Sequence, residues 1–447
     1  MDKRTITGVA IAVGVFGVAL VLLALFTGVR NLEQDVVPAP INPSTAEAEA
    51  HPGSLYGRIT IDDGRTYEGR LRWGGAEEAF WGDYFDGAKD DNPWGAHVPP
   101  ERLEERRPSK IFGFETGRGD RRINLDRLFM TRFGDIARIE SSGYDLQVIL
   151  KSGTVFPLAR FEADDFADGV RVWDAKAGVV DIDEWLIDSV EFLLTTPLDT
   201  AADRLHGTVR TRQGDFTGFV QWNRVKGVGP DQLNGRTDDG GVNLRFDTIR
   251  SIARESSESS RVTLLDGREI VLSGTREAGQ GNRGMYVDDR RYGRVLISWD
   301  AFERVDFSPG GNGPAYDDFP PGSPLIGSVT TLDGNRHTGR LVFDLDESET
   351  TETLDAPFEG VNYTIPFGLI ASIVPGGKVT LHHGEELQLE RRGDLGERNA
   401  GMLIFVDIRE RAEYVPWTDV EQVDFIRPPA MYPPLGDVYQ TGVSGTR

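Results

Sequence analysis

Three stretches of this chain follow one template, and that repetition limits the fold more than any other feature. Leu55 begins LYGRITIDDGRTYEGRLRW, Leu205 begins LHGTVRTRQGDFTGFVQW and Leu325 begins LIGSVTTLDGNRHTGRLVF. Each places a glycine two residues after the leucine, another nine residues after it, and a third four or five residues farther on. Alternating apolar positions such as Ile59/Ile61 and Leu71/Trp73, broken by Asp-Gly or Gln-Gly, spell strand, turn, strand. Glycine at such turns reaches positive φ without the strain a Cβ would impose.

Further pieces recur in the same order. FGDIARI (133–139), FDTIRSI (246–252) and FGLIASI (367–373) share an F-x-x-I-x-x-I pattern, and VILKSG, VTLLDG and VTLHHG follow at 148, 262 and 379. Each copy closes on a related stretch: GVVDIDEWLIDSVEF, GRVLISWDAFERVDF and AEYVPWTDVEQVDF. The distances Gly153 to Val190, Gly267 to Val305 and Gly384 to Val423 are 37, 38 and 39 residues. The period is about 115–120 residues, far longer than the roughly 40–45 of a WD propeller blade. The Trp299–Asp300 pair therefore reads as part of a closing turn and strand, with Trp299 packed inside.

These patterns predict an all-β chain of three tandem β-rich repeats, small barrels or sandwiches, each built from two related subdomains. The repeats occupy 54–194, 204–308 and 324–427, followed by a tail at 428–447. Linkers are expected at 195–203 and in the Gly/Pro-rich SPGGNGPAYDDFPPGSP at 308–324.

Before the repeats, Thr5 to Val29 is a run of 25 residues without a formal charge. At about 1.5 Å per residue it can cross a hydrocarbon core of about 30 Å. Lys3 and Arg4 precede it and Arg30 follows, a modest bias toward a cytoplasmic N-terminus at residues 1–4. A cleaved signal peptide is the rival, but its apolar core would be shorter, about 7–15 residues. Residues 30–53 read as a tether. The expected setting is a single-pass protein of the bacterial inner membrane, with lipid contact through this helix and repeats that are periplasmic or extracellular.

The formal charge of −23 argues against nucleic acid as a partner, because backbone binding requires Lys and Arg to neutralise phosphates. With no cysteine, thiolate catalysis, disulfides and Cys-based zinc sites are excluded. The six histidines at 51, 97, 206, 337, 382 and 383 form no metal motif. Acidic groups such as Asp164/Asp165/Asp168, Asp181/Asp183/Glu184 and Asp344/Asp346/Glu347 read as charged loop surface rather than calcium sites. No nucleophile elbow, phosphate loop or metalloprotease motif occurs, so neither an enzyme nor a cofactor is expected.

The first repeat carries extra chain. Trp73 to Phe133 spans 60 residues, whereas Trp222 to Phe246 and Phe343 to Phe367 each span 24. The surplus is placed near 76–121, where Trp81, Tyr84, Phe85 and Trp94 stand close to Arg102, Arg106 and Arg107. Aromatics beside arginines form the candidate partner-binding residues, with elaborated self-packing as the structural reading. The expected function is a non-catalytic envelope scaffold or adaptor binding a protein partner. Cell-wall polysaccharide binding and a carboxylate-dependent hydrolase are the alternatives, and self-association is a further expectation.

Overall fold

A computed structural model of the chain describes residues 52–73, 79–89, 92–100, 109–111, 114–116, 127–160, 163–195, 202–406 and 412–429. The expected membrane helix, most of the tether and the end of the tail lie outside these residues. Among the described residues no helix is long and apolar enough to cross a membrane. The described chain is antiparallel β-sheet throughout, and its α-helix is the single turn Asp164–Ala167.

Three large sheets of 10, 12 and 8 strands follow the three repeats. In the second repeat the order runs Glu269–Ser273, Ser259–Leu264, Ile249–Arg254, Phe302–Phe307, His206–Thr211, Gly214–Gln221, Met285–Asp289 and Gly293–Ile297. The same eight-strand order appears in the other two, ending at Gly178–Ile182 in the first repeat and Ala412–Val415 in the third. The two halves of a repeat therefore join one sheet. A further hairpin extends each plan: Tyr84–Lys89 with Arg127–Arg132, Gln232–Thr237 with Gly240–Arg245, and Thr353–Phe358 with Val361–Pro366. The third of these leaves its own repeat and pairs with Gly293–Ile297 of the second, which gives that sheet its twelve strands.

The repeated sequence pieces become the repeated core. Phe133, Phe246 and Phe367 each begin a 3₁₀ turn, and the isoleucines after them, at i+3 and i+6, enter the next strand fully buried. Trp73 packs on Phe133, Trp222 on Phe246 and Phe343 on Phe367, with ring centroids 5.4, 6.4 and 5.2 Å apart. Trp299 is buried as its recurrence implied, edge-on to Trp222 with its indole N–H donated to the Ser257 carbonyl at 3.1 Å. In the first repeat Glu184 stands at that position and the neighbouring Trp185 points outward.

The second and third repeats share one hydrophobic core, while the first has its own. The Gly/Pro-rich segment 308–324 is a strap rather than a loose linker. Its Phe319 is buried in the core of the first repeat, Tyr316 stacks on Trp81 at 4.5 Å, and the Tyr316 hydroxyl donates to the Ile136 carbonyl at 2.7 Å. The Lys151 ammonium ties the strap down from below, donating to the Tyr316 and Phe319 carbonyls at 2.5 and 3.0 Å. Gly134 is dictated by this contact, because a Cβ there would lie 2.4 Å from the Phe319 ring.

Candidate functional site

One acid recurs at the entrance to the extra hairpin of every repeat. An Asp83 oxygen accepts the Ala79 and Phe80 N–H groups at 2.8 and 2.9 Å; Asp231 accepts those of Gly227 and Val228 at 2.8 and 3.0 Å. Glu352 accepts those of Ser348 and Glu349 at 2.6 and 3.0 Å. The carboxylate satisfies backbone donors of an irregular loop that would otherwise be buried unpaired. Its sequence signal is an Asp or Glu nine or ten residues after Trp73, Trp222 and Phe343.

In two repeats the second oxygen of this acid reaches across to another repeat. Asp83 accepts the Arg294 guanidinium at 2.8 Å and the Gln221 amide, both from the second repeat. Burial would raise the Asp83 carboxyl, but Arg294 and Arg204 beside it hold it below the usual range. Glu352 accepts the Lys89 ammonium of the first repeat at 3.0 Å, and Asp346 takes the same ammonium at 2.5 Å. Burial works against the charge on Lys89, yet Glu352, Asp346 and Glu347 together raise its pKa.

The acidic stretch 344–347, expected as loop surface, is thus largely interior. Comparison with the second repeat gives the physical reason. There Lys226 pairs with Glu277 at 3.3 Å. The isolated bridges Trp222↔Lys226 and Phe343↔Glu347 are equivalent, and Glu277 and Asp394 both accept a strand N–H, from Asn234 and Asp355 at 2.9 and 2.6 Å. Where the second repeat has Lys226 and Glu277 the third has Glu347 and Asp394, so a salt bridge in one is a pair of acids in the other. Glu347 Oε2 is buried without a hydrogen-bond partner. Burial and then the carboxylates of Asp346 and Asp394 raise Glu347 well above the usual range; burial and Asp355 do the same to Asp394. Lys89 supplies from the first repeat the cation that pairs with this acidic pocket. Among the described residues no three His, Asp or Glu side chains are arranged to hold a metal ion.

The seven predicted contact residues divide. Trp81 and Phe85 are fully buried, and Tyr84 nearly so. All three belong to the framework, not to the extra chain: Tyr84–Lys89 pairs with Arg127–Arg132, so the surplus lies at the hairpin tip between Lys89 and Arg127. The equivalent tips, between Thr237 and Gly240 and between Phe358 and Val361, are short. Phe85 corresponds to Leu233 and Leu354, each fully buried. Trp94 does lie in the surplus, in the 3₁₀ turn Pro93–His97, and packs 6.0 Å from Phe405 of the third repeat with the Arg340 guanidinium over its ring at 5.6 Å. Asn92 donates to the Leu345 carbonyl at 3.0 Å. Arg102, Arg106 and Arg107 lie outside the described residues.

What sequence reasoning missed is a difference among the three terminal sheet edges. Gly293–Ile297 is paired by Val361–Pro366. Ala412–Val415 has no described strand on its outer side, but Ala412 and Tyr414 pack in a cluster with Trp94 and Val98 of the first-repeat insertion. Gly178–Ile182 pairs with Val170–Asp174 on one side, and no described strand pairs with its other side. Val179 there is 44% exposed, and Trp185 and Leu186 on the adjoining turn are 55% and 42% exposed. An open edge offers a row of backbone donors and acceptors to an extended peptide. No family model matches the chain, and no curated protein or solved structure matches it.

Proposed function

We propose that this chain is a non-catalytic scaffold or adaptor of the cell envelope, held at a membrane by residues 5–29, whose β repeats bind a protein partner by strand addition at Gly178–Ile182. The observation that carries this reading is the contrast among three equivalent edges: one is paired by a strand from within the chain, one has side chains of a 3₁₀ turn packed against it, and among the described residues no strand pairs with the third. The edge holds neither proline nor lysine, the residues that commonly block such pairing. Exposed Val179, Trp185 and Leu186 add apolar surface beside the backbone groups, and such surface gives an added strand its side-chain specificity.

A photoreactive residue at Val179 of the full chain, activated in intact cells, tests the proposal. Specific protein adducts are expected, and Asp181→Pro should abolish them by removing an outward N–H. That orientation follows from the second repeat, where Ser298 N donates to the Gly360 carbonyl at 2.9 Å across the joint and every second residue shares its direction. Adducts that persist unchanged in Asp181→Pro would show that the edge does not recruit them.

A further inference from the structure

The joint between the second and third repeats shows how an edge of this type is filled. Gly293–Ile297 receives Val361–Pro366 in the register Arg294↔Thr364, Val295↔Tyr363, Leu296↔Asn362 and Ile297↔Val361. Both strands have equivalents elsewhere in the chain. Gly178–Ile182 is the first-repeat counterpart of Gly293–Ile297, and Gly240–Arg245 is the second-repeat counterpart of Val361–Pro366. Gly240–Arg245 pairs with Gln232–Thr237 on one side; no described strand pairs with the other. Val242 and Leu244 rest on the core beneath it, and Gly240, Gly241, Asn243 and Arg245 are exposed. One joint is therefore made within the chain, and both halves of a second are present but apart.

Resting on the reading of the repeats as protein-binding, we infer that the occupant of Gly178–Ile182 is Gly240–Arg245 of a second copy of this chain. Transfer of the internal register sets Val179 opposite Asn243, Val180 opposite Val242, Asp181 opposite Gly241 and Ile182 opposite Gly240. Val180 and Val242 form an apolar cross-strand pair where Val295 meets Tyr363. Glycines opposite Ile182 and Asp181 leave room for both side chains, and the Asp181 carboxylate is already engaged by Arg171 at 2.6 Å. A Cβ on Gly293 would lie 2.5 Å from the Pro366 ring, whereas one on Gly178 meets nothing within 4 Å, nor does one on Gly240 or Gly241. The space filled at the internal joint is open at both halves of the second. Because the two halves are different surfaces, the contact is head-to-tail, and each added copy carries forward one free half of each kind.

The absence of native cysteine makes the test direct. Residues facing each other across an antiparallel pair stand about 4.5–5.5 Å apart between Cα atoms, within disulfide range. The full-length chain carrying Val179→Cys and Asn243→Cys, oxidised mildly, should give a ladder of disulfide-linked multiples. A mixture of the two single variants should stop at linked dimers. Val179→Cys with Leu332→Cys, another exposed position, should give no ladder. Asp181→Pro and, on the other strand, Gly241→Pro each remove an outward N–H, and either should abolish the ladder; the second variant retains the test if the first fails to fold. A Val179/Asn243 yield no higher than the Val179/Leu332 control, or a ladder indifferent to both prolines, overturns the inference. If copies do not link but Asp181→Pro still releases a foreign protein crosslinked at Val179, self-pairing fails and the adaptor reading stands. If neither responds, both fail.

Discussion

Replacing Lys89 with methionine isolates what holds the first repeat to the third. The ammonium lies 2.5 Å from Asp346 and 3.0 Å from Glu352, with all three side chains under one-tenth exposed. Methionine keeps most of the stem volume but leaves two buried carboxylates beside Glu347 and Asp394, which already lack a local cation. Removing one partner of a buried pair costs about 3–5 kcal/mol. For a cooperative unit of 150–250 residues, that corresponds to a fall in Tm of about 6–20 °C.

The cost should depend on pH with a defined sign. Carboxyls raised by folding hold protons better in the folded chain, so their contribution is full at low pH and is lost as pH rises through the folded value. Burial raises Asp355 to about 6 from an ordinary 3.8, and Glu347 and Asp394 are also raised. Without the ammonium the buried carboxylates repel one another unless they take up protons, so thermal unfolding of the full chain, followed by near-ultraviolet circular dichroism, should show a larger Lys89→Met deficit near pH 8 than near pH 5. Glu347→Lys rebuilds the arrangement of Lys226 and Glu277 and should recover much of the loss in the Lys89→Met background. A deficit below about 1 kcal/mol, the worth of an exposed pair, would refute the argument. So would a deficit equal at both pH values, or further destabilisation by Glu347→Lys.

Other substitutions probe the remaining joints. Gly134→Ala should cost about 1–3 kcal/mol by overpacking, measured by urea denaturation, and Phe319→Leu in the same chain should return part of it because the clash is with that ring. Arg294→Met leaves Asp83 buried and Asp288 beside it unpaired by Arg294; it should cost about 3–5 kcal/mol and speed proteolytic cleavage at 79–83. Phe85→Ala should cost about 3–5 kcal/mol as a core truncation, in contrast to a surface contact residue, whose removal would leave the urea midpoint in place.

The repeat could be read from sequence because its signals are local. A glycine at a turn and an F-x-x-I-x-x-I run report on backbone and burial within a few residues, and in each copy the phenylalanine and both isoleucines reach the core as their spacing requires. The insertion was harder to place because no residue of the strand before it recurs in all three copies: Tyr84–Lys89 reads YFDGAK where its equivalents read QLNGRT and TLDAPF. Without a residue common to all three the surplus cannot be localised by counting, and framework aromatics fall inside its apparent bounds. The partners that bury Trp81 and Trp94 are more distant still. Tyr316 and Phe405 come from a strap and a repeat hundreds of residues away, and no periodicity near residue 81 or 94 encodes them.

Once the strands are aligned, the three copies differ at a few positions that account for how the repeats are joined. A position that is Lys226 in one copy and Glu347 in another, while its partner is an acid in both, leaves the third repeat without the salt bridge of the second, and a cation from another repeat can balance it. Lys89 meets that requirement from the strand that leads into the insertion. The same logic applies to the edges. Duplication gives three equivalent edges, and a chain that keeps three open strands invites pairing at each. One is closed by strand pairing with a neighbouring repeat, and one has side chains of the insertion packed against it. Among the described residues no strand pairs with the first-repeat edge, and none pairs with the outer side of the strand that would complete it by the rule of the internal joint. Pairing of one edge within the chain shows how this fold covers it, which makes the two strands with no described partner the place where association should be sought.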